Sequence, residues 1–445
     1  MELGQGKGRI AYGIVKRLAE AGYVAYFAGG CVRDDLMHEC PGDYDIATSA
    51  SPDDVEKLFP KTIAVGKQFG VIIVVEGDAQ FEVATFRREG SYRDGRHPSE
   101  VSFTDPEEDA KRRDFTVNGL FYDPIQNKVI DYVGGQKDLQ AKIIRAIGAP
   151  DERFEEDKLR LLRAVRFASV LGFEIEPATW SAVCRRFQEI HDVSPERIRD
   201  EIVKMLTRPG ADRGLDLLSR SCLLKEILPE IEAMKNIQQP PAFHPEGDVF
   251  VHTKLMLAQL KNPSKELALA VLFHDVGKPP TLAVRDGHIT FYEHAPLGAR
   301  MTETIMRRLR FSNDEIETVA GCVENHMRFG DVQKMREGKL KRLLTRPTFE
   351  LELELHRIDC VTSHGHLDNY GFLKAKQKEY AAEELKPAPL INGHDLIRLG
   401  MQPGPDMKPF LEEIYDLQLE GQIKDKDAAL AYAQNQLRMK SKKAQ

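Results

Sequence analysis

The chain has 445 residues, 42% of them hydrophobic and 30% charged, and a formal net charge of −7. That length exceeds what one hydrophobic core usually supports, so two to four units are expected, and the composition excludes a fibrous or disordered chain. The negative balance excludes indiscriminate binding to polyanions, so any nucleic-acid partner has to be held by local basic surface.

From Tyr23 to about Ile147 the text alternates short β-rich runs (YVAYFAGG, VIIVVEG, FEVATF, KVIDYVGG) with Gly, Asp and Pro turns. This predicts an α+β head over 1–148, a mixed sheet with flanking helices. From Asp151 onward the pattern is helical, as in EDKLRLLRAVRFASVLG and SPERIRDEIVKMLTR, with Ser194 and Pro195 as N-cap and first-turn proline. An all-α neck and body is expected over 149–236. The Pro- and Gly-rich run KNIQQPPAFHPEGD reads as a linker into a further all-α region, 237–385, that carries most of the histidines. A helical tail over 386–445 ends in the basic RMKSKKAQ. Apolar runs such as 71–75 and 267–273 are too short to cross a bilayer, and the N-terminus lacks a signal pattern. No membrane partner and a cytoplasmic location are therefore expected. Six cysteines without a C-x-x-C pair read as reduced thiols.

The run GGCVRDDLMHECPGDYDIAT holds Gly29-Gly30, Arg33-Asp34 and Asp43-Tyr44-Asp45. Residues two apart on a strand share a face, so Asp43 and Asp45 would present two carboxylates side by side. Such a pair wants a cation, and Mg2+ combines one or two carboxylates with substrate phosphates. Gly29 and Gly30 would let backbone N–H groups approach a triphosphate, with Arg33 as a charge-assisted donor. A lone D-x-D is more often a solvated turn; joined to GG and VRD it is a catalytic signature.

On these residues the chain resembles the bacterial tRNA nucleotidyltransferase and poly(A) polymerase family, which includes CCA-adding and A-adding enzymes. The resemblance implies that Asp43 and Asp45 hold Mg2+, with Glu82 in FEVATFRRE as a candidate third carboxylate. It also implies that RREGSYRDGRHPSEVSF is the family's flexible loop, with Arg93, Asp94 and Arg96 as candidates. That loop argues against a CC-only enzyme. KRRDFTVNGL matches the ribose- and triphosphate-contacting motif, which brings in Arg113, Asp114 and Asn118.

FEEDKLRLLRAVRFA places Asp157 and Arg160 three apart on one helix face, near Glu156 and Arg163. The plain reading is a surface ion pair worth a few tenths of a kcal/mol. A sharper reading starts from the bases: cytosine and adenine each offer an exocyclic amine beside a ring acceptor, which suits one carboxylate and one guanidinium. Uracil and guanine would set oxygen against the carboxylate. In the resembled family this motif serves as an amino-acid template, with Arg163 in support. Basic clusters at Arg185, Arg186, Arg197 and Arg199 are expected to bind the acceptor stem through phosphates and A-form shape.

His252, His274, Asp275, His294, His326 and Asp359 form the second constellation. Imidazoles and carboxylates together suit a divalent transition metal. The pattern resembles the HD phosphohydrolase superfamily: His252, His274, Asp275 and Asp359 match its metal quartet, His294 and His326 the extra ligands of two-metal members, and Lys278 a phosphate contact. The expected function is a Mg2+-dependent transferase extending tRNA with CTP and ATP, or with ATP alone, joined to a possible HD phosphohydrolase. The alternatives are a poly(A) polymerase on general RNA and an HD hydrolase with an RNA-binding head.

Overall fold

The computed structural model describes residues 6–89, 101–240, 244–380 and 387–443. The chain divides into two compact units, Met1–Glu232 with Leu260–Asn262 and Arg308–Arg310, and the remainder of Ala233–Gln445.

The first unit contains strands β1 (Ala25–Ala28), β2 (Asp45–Thr48), β3 (Thr62–Gly66), β4 (Val71–Glu76), β5 (Ala79–Thr85), β6 (Arg87–Glu89), β7 (Val101–Phe103), β8 (Leu120–Asp123) and β9 (Lys128–Asp131). Among the described residues, seven of them form one sheet in the order β3-β4-β5-β2-β1-β8-β9, while β6 and β7 pair as a separate ribbon. The β2–β5 pair is parallel and its neighbours in the sheet are antiparallel, which is the expected mixed sheet. Strand alternation separates two faces. Phe27, Ile46, Ile72, Val74 and Val83 pack on one face with Ile14, Val15 and Leu18 of α1 (Gly6–Glu20). The opposite face carries Ala28 and Ala47 beside Phe86, Ala110 and Phe121. Those alanines keep the sheet low where the cleft opens.

Helices α2 (Gly30–Leu36), α3 (Pro52–Leu58), α4 (Pro106–Lys111) and α5 (Gly135–Ala141) belong to the head. Ser51 and Asp105 cap α3 and α4 through side-chain bonds, each followed by a proline in the first turn. The neck and body run through α6 (Pro150–Glu156), α7 (Leu159–Leu171), α8 (Pro177–Arg186), α9 (Pro195–Leu206), α10 (Ala211–Arg220), α11 (Leu223–Ile227) and α12 (Pro229–Glu232). Ser194 and Pro195 open α9 as the sequence predicts, although the Ser194 side chain makes no cap bond.

The second unit is mostly helical, with α13 (Val249–Ala258), α14 (Lys265–Phe273), α15 (Lys278–Thr281), α16 (His294–Arg308), α17 (Asn313–Asn325), α18 (Glu337–Leu344), α19 (Phe349–Thr362) and α20 (Asp368–Glu379), and departs from the all-α expectation in one antiparallel hairpin of Ala283–Arg285 with His288–Thr290. Residues 268–273 of α14 are all buried, as a helix apolar on every side must be. Ser264 caps α14, and Ser312 with Glu315 forms a capping box on α17. The tail helices Gly393–Arg398, Met407–Leu419 and Lys426–Lys443 share a small core of Leu396, Phe410, Ile414, Ala429 and Ala433. Among the described residues no helix is long and apolar enough to cross a membrane.

One close approach sets the second site. A Cβ on Gly277 would stand 2.1 Å from the His294 carbonyl oxygen and 2.7 Å from the Gly298 nitrogen. The turn after α14 therefore lies directly on the start of α16, which only glycine permits. Gly277→Ala is expected to cost about 1–3 kcal/mol through overpacking and to displace His294. Urea unfolding checks this, and an unchanged midpoint would show that α16 yields without cost.

Candidate functional site

A cleft of about 570 Å3 lies within the first unit, lined by Ala28, Asp45, Ala47, Glu82, Ala84, Arg87, Arg112, Arg113, Asp114, Asp157, Arg160 and Arg163, with Val65, Gly66, Phe69 and Val71 along one side. Its floor follows from strand register. In the parallel β2–β5 pair Ile46 faces Val83 and Ala47 faces Ala84, so Asp45 and Glu82 occupy adjacent places on the cleft side. Strand β2 begins at Asp45, so Asp43 stands on the approach to the strand and not within it; it is solvent-exposed, 3.3 Å from the Lys7 ammonium. The Asp45 carboxyl is pushed up to about 6, first by desolvation and then by Glu82, with Asp43 adding to the rise and Arg113 opposing it. Carboxylates that repel one another in this way are a donor set for a hard divalent cation.

Behind the floor runs a buried polar chain. Gly29, at φ 68, turns the end of β1 into α2, and a Cβ there would meet Arg113 Nη1 at 2.9 Å. Gly30 opens α2, and the side chain of Arg33 on that helix is turned inward. Arg33 donates to Asp34 through Nε and Nη2 at 2.8 and 2.6 Å and to Asn118 Oδ1 at 2.6 Å. Asn118 in turn donates to Asp114 at 3.1 Å, and Arg163 donates to Asp114 through Nε at 2.8 Å. Burial opposes ionisation of Asp114, yet Arg163 and Asn118 hold its carboxyl down at about 2. Arg113 is fixed by Asp109 and by the Asn118 carbonyl, 3.2 Å away. Of the predicted nucleotide-binding set, Arg113, Asp114, Asp157, Arg160 and Arg163 line the cleft. Gly29, Gly30, Arg33 and Asn118 lie behind it and hold the lining in place.

Asp157 and Arg160 do not share one helix. The chain leaves α6 at Asp157, which is extended (φ −143, ψ 105), and re-enters helix at α7. Asp157 Oδ1 accepts from the Leu159 N–H at 3.0 Å, which restarts the helix and explains the break that the sequence pattern conceals. The expected ion pair is replaced by two others: Asp157 with Arg197 at 2.7 Å, and Arg160 with Glu156 at 2.7 Å. Arg160 Nη2 also donates to the Arg112 carbonyl at 2.9 Å. Arg197, predicted on the stem-binding surface, is thus bound to the Asp157 carboxylate at the cleft. Arg185 pairs with Asp151, Arg186 with Glu155 and Glu189, and Arg199 with Asp200, so acids already accompany each of these cations. Arg93, Asp94 and Arg96 lie outside the described residues.

In the second unit α13 supplies His252, the end of α14 His274 and Asp275, the start of α16 His294, the end of α17 His326, and α19 Asp359. All six predicted ligands converge. His252 Nε2 lies 3.1 Å from Asp359 Oδ1, and His274 Nε2 3.0 Å from Asp275 Oδ2. The other Asp275 oxygen, Oδ1, faces His294 and His326 at 3.7 and 3.8 Å. Asp275 therefore offers one oxygen to each of two ligand groups. His274, His294 and His326 each direct Nδ1 to the carbonyl three residues earlier, at 2.9, 2.8 and 2.6 Å, which leaves their Nε2 lone pairs for the centre. Burial pushes His326 down to about 3, keeping it neutral. Burial opposes the charge on His252 as well, but Asp359 and Glu246 outweigh it and raise that imidazole to about 9. Lys278 is 2.7 Å from Asp275 and donates to Gln239 at 2.5 Å. His244 and Glu246, from the predicted linker, join the cluster beside His252. The signal for them was their closeness to a ligand in HPEGDVFVH.

A sheet floor with carboxylates facing a helical wall of charged side chains is the architecture of a nucleotidyltransferase. Residues 25–145 match the Poly A polymerase head domain, 172–235 a family described as "Probable RNA and SrmB- binding site of polymerase A", and 248–363 the HD domain. The chain is 32% identical to a CCA-adding enzyme of Lactobacillus gasseri over 94% of both chains. It is 42% identical to a CCA-adding enzyme of Bacillus subtilis over 61% of this chain and 68% of that one. It also superposes on the crystal structure of the Bacillus stearothermophilus CCA-adding enzyme in complex with CTP, with a TM-score of 0.74, 28% identity and 98% of each chain covered. The chain belongs to the CCA-adding enzyme family.

The raised Asp45 carboxyl has a consequence for stability. A folded-state pKa above the ordinary carboxylate value means that stability falls as pH rises from about 4 through 6, by a margin that the solvent exposure of Asp45 keeps small. Asp45→Asn removes that loss, so without divalent cations the variant is expected to melt higher than wild type above pH 6 and equally below pH 4. Added Mg2+ should raise the wild-type melting temperature but not the variant's. Thermal scans at both pH values, with and without Mg2+, check both statements.

Proposed function

We propose that this chain is a Mg2+-dependent nucleotidyltransferase that builds the CCA end of tRNA from CTP and ATP, releasing pyrophosphate. The observation that carries this reading is the placement of Asp45 and Glu82 side by side on an alanine floor, in the same cleft as Asp157 and Arg160. The family membership and the CTP-bound relative support it. Asp43, Asp45 and Glu82 are the residues that would hold Mg2+, which supplies positive charge to the reacting phosphates. In the reaction the primer 3′-oxygen bonds to the α-phosphorus, the bond from that phosphorus to the bridging oxygen breaks, and pyrophosphate leaves. Arg113, with Arg87 and Arg112 nearby, supplies cationic surface to the triphosphate. Arg33 and Asn118 act through Asp114 to keep Arg163 in place.

Asp157 and Arg160 read the base. Asp157 accepts from the exocyclic amine of cytosine or adenine, and Arg160 donates to the adjacent ring acceptor. With uracil or guanine an oxygen meets the Asp157 carboxylate, at a cost of about 1–3 kcal/mol. Fixed by Leu159 and Arg197, the carboxylate cannot swing away to relieve that contact.

A second observation, the two-sided presentation of Asp275, favours a divalent transition-metal centre in the second unit. His252, His274 and Asp275, with Asp359 beside His252, would hold one ion, and Asp275, His294 and His326 another. Such a centre is suited to phosphoester hydrolysis.

The transferase reading is tested with tRNA transcripts ending before CCA, after C and after CC, each with Mg2+ and CTP, ATP or both. Addition of CCA to the shortest primer is expected. Labelling of the CC-ended primer alone indicates an A-adding enzyme, long A tails a poly(A) polymerase, and no extension overturns the reading. In the same assay Asp157→Ala is expected to lower selection of C and A over U and G by about 10- to 100-fold, and unaltered selectivity would remove Asp157 from the reading role.

A further inference from the structure

We infer that Glu246 is a positioning residue for the metal centre of the second unit, acting through His252 to hold one of two ions. The inference rests on the metal-centre reading above and deepens it.

The four histidines of the centre are not held alike. Three aim their Nδ1 atoms at the carbonyl three residues earlier in the chain. His252 instead has Nδ1 2.6 Å from Glu246 Oε1, while its Nε2 faces Asp359. A carboxylate behind a metal-bound imidazole fixes the tautomer, sets the ring's rotation and makes the ligating nitrogen more basic than a carbonyl does. His252 is fully buried, so its ring takes its direction from these two carboxylates.

Glu246 is itself built in. Its side chain is 5% exposed, and among the described residues Glu246 Oε2 and His252 Nδ1 are both buried atoms without a hydrogen-bond partner, so Oε1 and Nδ1 stand at 2.6 Å as an ion-pair contact. Oε1 also lies 2.9 Å from His244 Nδ1, and the His244 ring packs edge-on against His252 with centroids 4.9 Å apart. The segment carrying Glu246 is fastened at its ends, Gln239 N–H to the Gly247 carbonyl at 2.7 Å and Val249 N–H to the Ile237 carbonyl at 3.0 Å. The same segment accepts from Lys278 through Gln239 Oε1. A stretch that composition marks as a linker thus sets two groups at the metal centre from behind. Among the described residues Glu246 is paired only with His244 and His252, and burying such a carboxylate is costly unless its charge meets a cationic demand, which an imidazole bound to a metal through its other nitrogen would supply.

The test is calorimetric titration of Co2+ into the full chain, stripped with chelator and held in excess Mg2+ to occupy the head carboxylates. Visible absorption of Co2+ is read in parallel. Wild type is expected to take up two equivalents. Glu246→Ala should weaken the equivalent served by His252 by about 10- to 100-fold and leave the one at His294 and His326 within about 2-fold. Glu246→Gln, isosteric and neutral, should show a smaller weakening in the same equivalent and carries the test if the alanine variant does not fold. His252→Ala identifies which equivalent is which. CCA addition, performed in the other unit, reports that each variant is intact. Unchanged isotherms in both Glu246 variants, or equal weakening of both equivalents in an intact protein, overturn the inference while leaving the metal-centre reading in place. Failure of wild type to bind Co2+ overturns both.

Discussion

The ion pair between Asp114 and Arg163 is the contact on which the first unit's chemistry depends. Asp114 belongs to the head, in the turn before β8, and the half-buried Arg163 to α7 of the neck, so one pair joins sheet to helix in the lining of the cleft. Around it the ring of Phe167 gathers the guanidinium groups of Arg33, Arg163 and Arg166 at 5.4, 5.2 and 3.9 Å. The buried Glu201 takes up the charge of Arg166 at 2.5 Å. Removing Arg163 would leave the buried Asp114 carboxylate without its main partner, at a cost of about 3 kcal/mol, whereas the intact pair is worth little as net stability. Its value is geometric: it fixes how the helical wall carrying Asp157 and Arg160 stands over the floor that carries the carboxylates.

That floor shows why small residues matter as much as charged ones. Ala28, Ala47 and Ala84 occupy the positions on β1, β2 and β5 that alternate with core-facing residues such as Phe27, Ile46 and Val83. A β-branched residue at these places would fill the volume a nucleotide needs. The sheet thus spends its large apolar groups on one face and leaves the other low, and the acids at Asp45 and Glu82 stand above their surroundings.

Much of this was legible in the sequence because it is local. The D-x-D run, the Gly-Gly turn and the His-Asp pair are contiguous motifs, and the strands that carry them follow from alternation. What escaped depends on long-range register or on a side chain acting on its own backbone. That Asp45 and Glu82 are neighbours is a property of the parallel β2–β5 pair, which 37 residues of separation conceal. The break at Asp157 has no glycine or proline to announce it, because the aspartate itself caps the next helix. The sequence places Arg197 among the stem-binding cations because helical periodicity cannot say which charge on a helix meets another 40 residues away. The segment before α13 was read as a linker on its prolines and glycine, yet its glutamate is drawn inward by an imidazole.

The histidine anchors of the second unit have a further consequence. For His274, His294 and His326 the orienting acceptor is a carbonyl of the same turn, so the direction of each ligand is a property of a helix end and needs no ion to establish it. Apolar packing, with Val271, Leu272, Phe273 and Val323 buried around those turns, holds the ends in register. The cage is therefore paid for by folding itself, and an arriving ion meets ligands already aimed. Were an ion held there, its exchange would not require the protein to be remade, and the choice among metals would pass from the fold to whatever supply the surroundings offer.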